Sequence, residues 1–506
     1  MSRVRTTSRL TALALALAVG AANAATVETT QPGTTPSGTA ELEANFPATP
    51  PPPGPAPTLD VPTPTAQTLP NGLQVISVRR ARLPLVTARL LVRSGGERDP
   101  QSLAGLADLA AHLLSKGAAG RSAPQIAAAA EALGGSLDAA AGWDESAVGI
   151  TVTTPNVPQA LALLSDVVRR PEFSADELKR AQAQAIDDLR LELSQPTALA
   201  RLVANRAVFG DGAYGHSRSG TPASLAKITR SDVQALHAAL YRPDNAILVF
   251  TGDITPAQAL SLAQASFGDW KAPAAALSAS LPGNASSALP ALLAIDQHGA
   301  GQAGVVAVHL APPRKDPDFY AGTVANAVLG GSYSARLNEE IRIKRGLSYG
   351  AFSDLDLRRD TGLWLGSAQT KNPSAPQVVD LMLGEFARLG TTPVADAELA
   401  ARKATLIGGY GRSLETTAGL AGQVGDLAVY GIDLAEIGRY IQRVQAITPV
   451  QVQAYAKAHL ADGAKVVVVG DAAQFGTALA KAHPQVRAMS SDAIDLDSAS
   501  LQPAAK

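Results

Sequence analysis

The chain has 506 residues, 43 Lys+Arg against 44 Asp+Glu for a net charge of -1, and no cysteine. Near neutrality excludes the broad basic field that nucleic acid or an anionic lipid surface requires, and the missing cysteines exclude disulfides, thiol catalysis, Cys-ligated zinc and acylation of an N-terminal cysteine. The length suits roughly two to four domains with real cores, and 46% hydrophobic residues with only 4% aromatic favour helix-rich α/β or α+β layers over an all-β sandwich.

Residues 1–24 read as a secretory signal. Arg3, Arg5 and Arg9 precede the apolar run Leu10 to Val19, which is too short to span a bilayer, and Ala22-Asn23-Ala24 supplies a small-x-small cleavage site. The expectation is export to the periplasm or beyond, with no membrane span after cleavage; an uncleaved anchor is the rival reading. Residues 25–67 are rich in Pro, Thr and Ala, with Pro50 to Pro53 in a row. Such a segment buries too little to fold and reads as an extended linker, or as a Pro-rich recognition motif.

Order is expected from about residue 68. A Pro70-Asn71-Gly72 turn leads into a strand at Leu73 to Val78, and Val86 to Val92 gives a second strand closed by Gly95-Gly96. Ser102 to Ser115 carries apolar residues at helical spacing, and a second helix runs from the cap Ser122 to Leu133. Val148 to Thr153 returns as a strand, followed by helices at Asn156 to Val168 and Ala175 to Leu193. The Ala/Ser/Pro-rich stretch 272–292 reads as a linker between a first domain, 68–271, and a second, 293–490, with 491–506 as a disordered tail. Beyond the linker come a strand at Val305 to Leu310, a helix at Asp318 to Leu329 and the break Gly330-Gly331.

The two domains repeat one another. Ile228-Thr229 opens a helix, followed by the strand Ala246 to Thr251 and Gly252-Asp253. About 219 residues later Ile447-Thr448 opens a helix, followed by Lys465 to Val469 and Gly470-Asp471. Cap, helix, strand and Gly-Asp turn at one spacing indicate duplication. Two α+β halves, each a mixed sheet packed with helices, would then face each other across a cleft, a favoured place for peptide sites.

The most specific stretch is Leu329-Gly330-Gly331-Ser332-Tyr333-Ser334-Ala335-Arg336-Leu337, then Glu339-Glu340-Ile341-Arg342 and Lys344-Arg345-Gly346-Leu347-Ser348-Tyr349. It resembles the C-terminal half of the M16 (pitrilysin-like) metallopeptidase family, in which an Arg is followed seven residues later by a Tyr. The resemblance maps that pair onto Arg342 and Tyr349. Both are hydrogen-bond donors, able to orient a peptide and stabilise an oxyanion at the scissile carbonyl. Gly105 to Gly117 is similar to the family's zinc-binding helix, whose His-x-x-Glu-His places two imidazoles on one helix face with a general base between them. Here Asp108 stands at the first His position, Ala111 at the Glu and His112 at the second His. The third ligand, a Glu about 75 residues on in active members, maps onto Asp188, with Asp187 as its neighbour in an uncertain register. Ala111 cannot take a proton from water, and one imidazole with two carboxylates is a weaker zinc set than two imidazoles and a carboxylate. The resemblance therefore implies no metal on this chain, with zinc on a partner.

Smaller matches agree. Phe209-Gly210-Asp211, Ala213-Tyr214-Gly215 and Gly220-Thr221 resemble the segment after the third-ligand helix. Gly134 to Ala139 resembles the edge strand onto which family substrates add by backbone pairing. That edge would comprise Asp138, Ala139, Ala140 and Ala141, with Asp138 where Asn is usual; an ordinary strand is the alternative. The resemblance covers residues 69–489. A chain that loses the zinc motif but keeps the Arg/Tyr pair is the pattern of a complementary subunit, whose partners would be an M16-like chain with an intact His-x-x-Glu-His and peptide substrates. A catalytically inactive peptide-binding or structural protein of the cell envelope is the alternative.

Overall fold

The computed structural model describes residues 54, 61–278, 287–461 and 463–503. The expected signal sequence, most of the N-terminal linker and the middle of the inter-domain linker lie outside the described residues.

The first half opens with β1 (Thr65–Thr68), β2 (Gln74–Arg79) and β3 (Leu85–Val92). Helix α1 (Leu106–Leu113) follows, then a two-residue hairpin of β4 (Gly117–Ala118) and β5 (Arg121–Ser122), α2 (Ala123–Ala132), β6 (Leu137–Ala141) and β7 (Ser146–Thr153). Next come α3 (Val157–Arg169), α4 (Ala175–Leu193), α5 (Pro196–Phe209), α6 (Pro222–Lys227), α7 (Arg230–Leu240), β8 (Ala246–Gly252) and α8 (Pro256–Phe267). The second half comprises β9 (Leu292–Asp296), β10 (Ala303–Ala311), α9 (Phe319–Leu329), the single turn α10 (Arg336–Asn338) continued by a π-turn at Glu339–Ile343, β11 (Ser348–Leu357) and β12 (Gly362–Thr370). It ends with α11 (Ala375–Thr391), α12 (Asp396–Ser413), α13 (Thr417–Val429), α14 (Glu436–Ala446), α15 (Pro449–Leu460), β13 (Lys465–Gly470), α16 (Ala472–Ala482) and β14 (Arg487–Ser490).

The duplication is visible strand by strand. The first sheet runs β1-β2-β8-β3-β7-β6 and the second β14-β9-β13-β10-β12-β11. In both, the second and third strands pair in parallel (β2 with β8, β9 with β13) and the remaining inner pairs are antiparallel. Only the outermost strand differs: β1 is antiparallel to β2, whereas β14 is parallel to β9. The repeated caps are equivalent too. Thr229 opens α7 and Thr448 opens α15, each through a capping box, with Asp232 and Gln451 as the reciprocal residues.

The inner strands β8 (AILVFTG) and β13 (KVVVVG) are near-continuous apolar runs and almost wholly buried, which requires cover on both faces. One face of the first sheet packs on helices of its own half, through residues such as Leu90, Leu164 and Phe250. Its other face, with Ile76, Leu91 and Val249, packs on Leu420, Val424 and Leu427 of α13 from the second half. Reciprocally, the second sheet presents Val306, Val308 and Val467 to Leu199, Val203 and Ala207 of α5 from the first half. Each half thus lends one helix to the other's sheet.

Some boundaries differ from expectation. The helix expected from Ser102 begins at Leu106, because buried Asp99 accepts hydrogen bonds from the Gly105 and Ala107 amides at 2.9 Å each and fixes the start of α1 there. Ordered structure begins before residue 68, at β1. The tail expected to be disordered from residue 491 is packed through Pro503: Leu501 is wholly buried against α5 and the second sheet, the Leu496 carbonyl accepts from Arg206, and Asp497 accepts from the Thr221 hydroxyl. Among the described residues no helix is long and apolar enough to cross a membrane.

Candidate active-site region

Helix α1 buries Leu106, Leu109, Ala110 and Leu113, which turns Asp108 and His112, one helical turn apart, outward on one face. Ala111 is fully buried and offers only a methyl group. Asp108 is held from a distance in sequence: Arg218 Nη1 donates to its Oδ1 at 3.2 Å and to the Ala141 carbonyl at 2.6 Å. Burial, and secondarily the Lys116 ammonium, lower the His112 pKa, against the opposing pull of Asp108 and Glu177. Asp188 is exposed on α4 and accepts from Gln184 Nε2 at 2.8 Å, while Asp187 pairs with Arg190 at 3.0 Å. The carboxylate on α4 that acts on His112 is Glu177, about three turns earlier.

These residues do not fit a catalytic zinc. Among the described residues no three His, Asp or Glu side chains converge as a metal-donor set. A dication touching Asp108 would also lie beside the Arg218 guanidinium, a like charge at close range. Sequence reasoning missed both Arg218 and Glu177. Arg218 lies inside the Phe209 to Thr221 segment, but nothing local places it against residues 108 and 141.

Asp138, Ala139, Ala140 and Ala141 lie in β6, at the edge of the first sheet; β6 pairs with β7 alone. Asp138 and Ala140 point to solvent while Ala139 and Ala141 turn inward; the outer backbone edge can pair with an extended chain as far as Ala141, whose carbonyl accepts from Arg218.

Arg342 lies in the π-turn that ends the α10 segment, and Tyr349 is the second residue of β11. Gly346 makes the reversal between them: its φ of +62° is left-handed and its amide donates to the Arg342 carbonyl at 2.8 Å. The cations of this segment divide. Lys344 and Arg345 are both paired with Glu340. Among the described residues Arg342 forms no ion pair; it lies over the Tyr333 ring, 4.2 Å from its centroid. Tyr349 is 91% exposed, with no hydrogen-bond partner for its hydroxyl among the described residues. Both donors are available at the edge of the second sheet.

A buried polar cluster joins the halves behind the first edge. Asp144, in the β6–β7 turn, accepts from Tyr214 Oη at 2.6 Å, from Tyr430 Oη at 3.2 Å and from the Arg359 amide at 2.9 Å. Glu97, fully buried, accepts from the Gly95 amide at 2.6 Å and faces Arg98 at 3.3 Å and Arg359 at 3.6 Å. Burial first, and the Asp144 carboxylate second, push the Glu97 pKa up to about 7.

Two duplicated α+β halves, a helix that presents Asp108 and His112 on its outward face, and an open sheet edge beside that helix define a two-domain chain of zinc-peptidase architecture. Comparison with known proteins agrees. Residues 74–219 match the family described as insulinase (peptidase family M16), and residues 227–406 match the peptidase M16 inactive domain. The chain belongs to the M16 peptidase family. An uncharacterized zinc protease of Mycobacterium leprae is 26% identical over 398 residues, 77% of this chain and 87% of that protein. The mitochondrial-processing peptidase subunit beta of Blastocladiella emersonii is 24% identical over 402 residues, 76% of this chain and 84% of that protein. Among solved structures, a peptidase M16 inactive domain from Pseudomonas fluorescens matches with a TM-score of 0.75 at 27% identity, covering 81% of this chain and 98% of that one. A protease from Helicobacter pylori shares the fold with a TM-score of 0.76 at 21% identity, covering 81% of this chain and 100% of that one.

Proposed function

We propose that this chain is the non-zinc-binding subunit of a heteromeric M16-type zinc metallopeptidase, acting on peptides in the periplasm or outside the cell. It would bind an extended peptide and supply Arg342 and Tyr349 to a zinc site on a partner that keeps His-x-x-Glu-His. The observation that carries this reading is the state of the pair: Arg342 is unpaired among paired neighbours, and Tyr349 is almost fully exposed. Surface donors that are not tied into the fold can turn toward a ligand, which for Arg342 means giving up only its contact with the Tyr333 ring. On the partner, zinc supplies the activated water; on this chain, the guanidinium and the phenol hold the peptide carbonyl and donate to its oxygen as charge develops.

The test is hydrolysis of a quenched fluorescent peptide by the mature chain, with zinc present, alone and mixed with an M16-type chain from the same organism that carries the intact motif. No turnover alone and turnover on mixing is expected. Arg342→Ala or Tyr349→Phe should lower turnover of the mixture roughly 10²-fold, as for loss of one oxyanion donor, with assembly unchanged by size exclusion. Undiminished turnover in both variants removes the pair from the site. Peptide binding with no turnover in any mixture converts the reading to an inactive binding protein.

A further inference from the structure

We propose that Arg218 makes the end of the β6 edge a subsite for a carboxylate of the bound peptide. The proposal rests on the peptide-binding reading above and adds the chemistry that the peptide must carry. Its first support is anchoring. Arg218 Nη1 makes both contacts, to Asp108 at 3.2 Å and to the Ala141 carbonyl at 2.6 Å. The side-chain stem crosses Gly96, where a β-carbon would lie 3.2 Å from Arg218 Cγ. A guanidinium fixed in this way spends little entropy on gripping a ligand.

The second support is the open edge of the fork. Among the described residues Nε and Nη2 make no hydrogen bond and are not enclosed, and the side chain is 37% exposed. Two parallel donors on a planar cation match the two oxygens of a carboxylate. The third is position. Ala141 is the last residue of β6, so a chain that pairs along Asp138 to Ala140 arrives at Arg218 as the strand ends. Asp108 occupies Nη1 alone, so the opposite edge of the guanidinium is the side left for an incoming anion. A C-terminal carboxylate and an acidic side chain share this chemistry.

Fluorescence anisotropy on the full mature chain separates the two sources. The probe is a labelled unstructured heptapeptide with one Glu, in three forms: free acid, C-terminal amide, and Glu→Gln. The wild-type chain should bind one neutralised form about tenfold more weakly than the parent, and which one identifies the carboxylate. Arg218→Met should bind all three alike, at the weakened affinity, with its circular dichroism spectrum unchanged. Arg218→Lys, which keeps the charge but not the fork, should recover part of the preference and serves where the Met variant does not fold. Equal binding of all three forms by the wild-type chain, or a preference that survives in either variant at full size, overturns the subsite while leaving peptide binding intact. Failure to bind any of the three overturns the peptide-binding reading itself.

Discussion

Replacing Glu97 by Gln should remove a defined part of the pH dependence of stability. Glu97 is fully buried, and its pKa rises from the ordinary 4.5 to about 7 in the folded chain. Below pH 4.5 the carboxyl is protonated in both states and contributes no penalty. As pH rises, the unfolded chain releases the proton first, so stability falls until the folded group also ionises near pH 7. Between pH 5 and pH 8 this one group should cost about 2–3 kcal/mol, at 1.36 kcal/mol per tenfold change in proton affinity. Glu97→Gln keeps an oxygen for the Gly95 amide but cannot ionise. Urea unfolding of the wild-type and variant chains at the two pH values measures the difference directly. The wild type should lose about 2–3 kcal/mol more than the variant on going from pH 5 to pH 8. The same loss in both would show that Glu97 titrates normally in the folded state, and would refute the cause assigned here, burial next to Asp144.

Leu501→Ala should destabilise by about 2–4 kcal/mol, as for a buried leucine, since Leu501 is wholly enclosed by α5 and the second sheet; an unchanged urea midpoint would show that the tail does not pack. Asp144→Ala leaves two buried hydroxyls and an amide from three segments without an acceptor and should cost about 3–5 kcal/mol, whereas Tyr430→Phe, which removes only the longest of these bonds, should cost about 1 kcal/mol. Tyr349→Phe and Arg342→Ala should stay within about 0.5 kcal/mol of the wild type, because neither side chain holds the fold together; a larger loss would give the pair a structural role.

Much of the fold is legible because it is written in local and repeated signals. Ser174 before α4 and Thr448 before α15 cap helices that begin where their side chains say they should. The all-apolar runs of β8 and β13 announce strands covered on both faces. What escapes reading is held by partners far away in sequence. Arg-Ser-Gly-Gly-Glu-Arg-Asp-Pro, residues 93–100, looks like an exposed loop. Yet Glu97 is buried against Arg359, and Asp99 caps α1. The polar tail looks unfoldable, but Arg206 and Thr221 hold its backbone and Asp497. Arg218 is one charged residue among many until the fold brings it to Asp108 and Ala141. Asp188 faces solvent beside Gln184, and Glu177 is the α4 carboxylate whose charge acts on His112; which residues of α4 face α1 depends on helix packing that spacing alone does not show.

The placement of the site residues separates the outward face of α1 from the contacts that hold the fold together. Asp108 and His112 occupy the outward face of α1, while Leu106, Leu109, Ala110 and Leu113 hold the helix to the sheet. Exchange of ligands on that face leaves the buried area of the helix unchanged, so it is nearly neutral for stability. The reciprocal lending of α5 and α13 works the same way: the surfaces that hold the two halves together are the apolar inner faces of the sheets, not the edges where peptide would pair. The duplication supplies two such edges, β6 and β11, each entered through a left-handed glycine, Gly134 or Gly346. One edge carries a fixed cation where the family's metal-binding helix runs beside it, and the other carries the free Arg342 and Tyr349. Neither set is part of a core, so either can be exchanged with little effect on the fold.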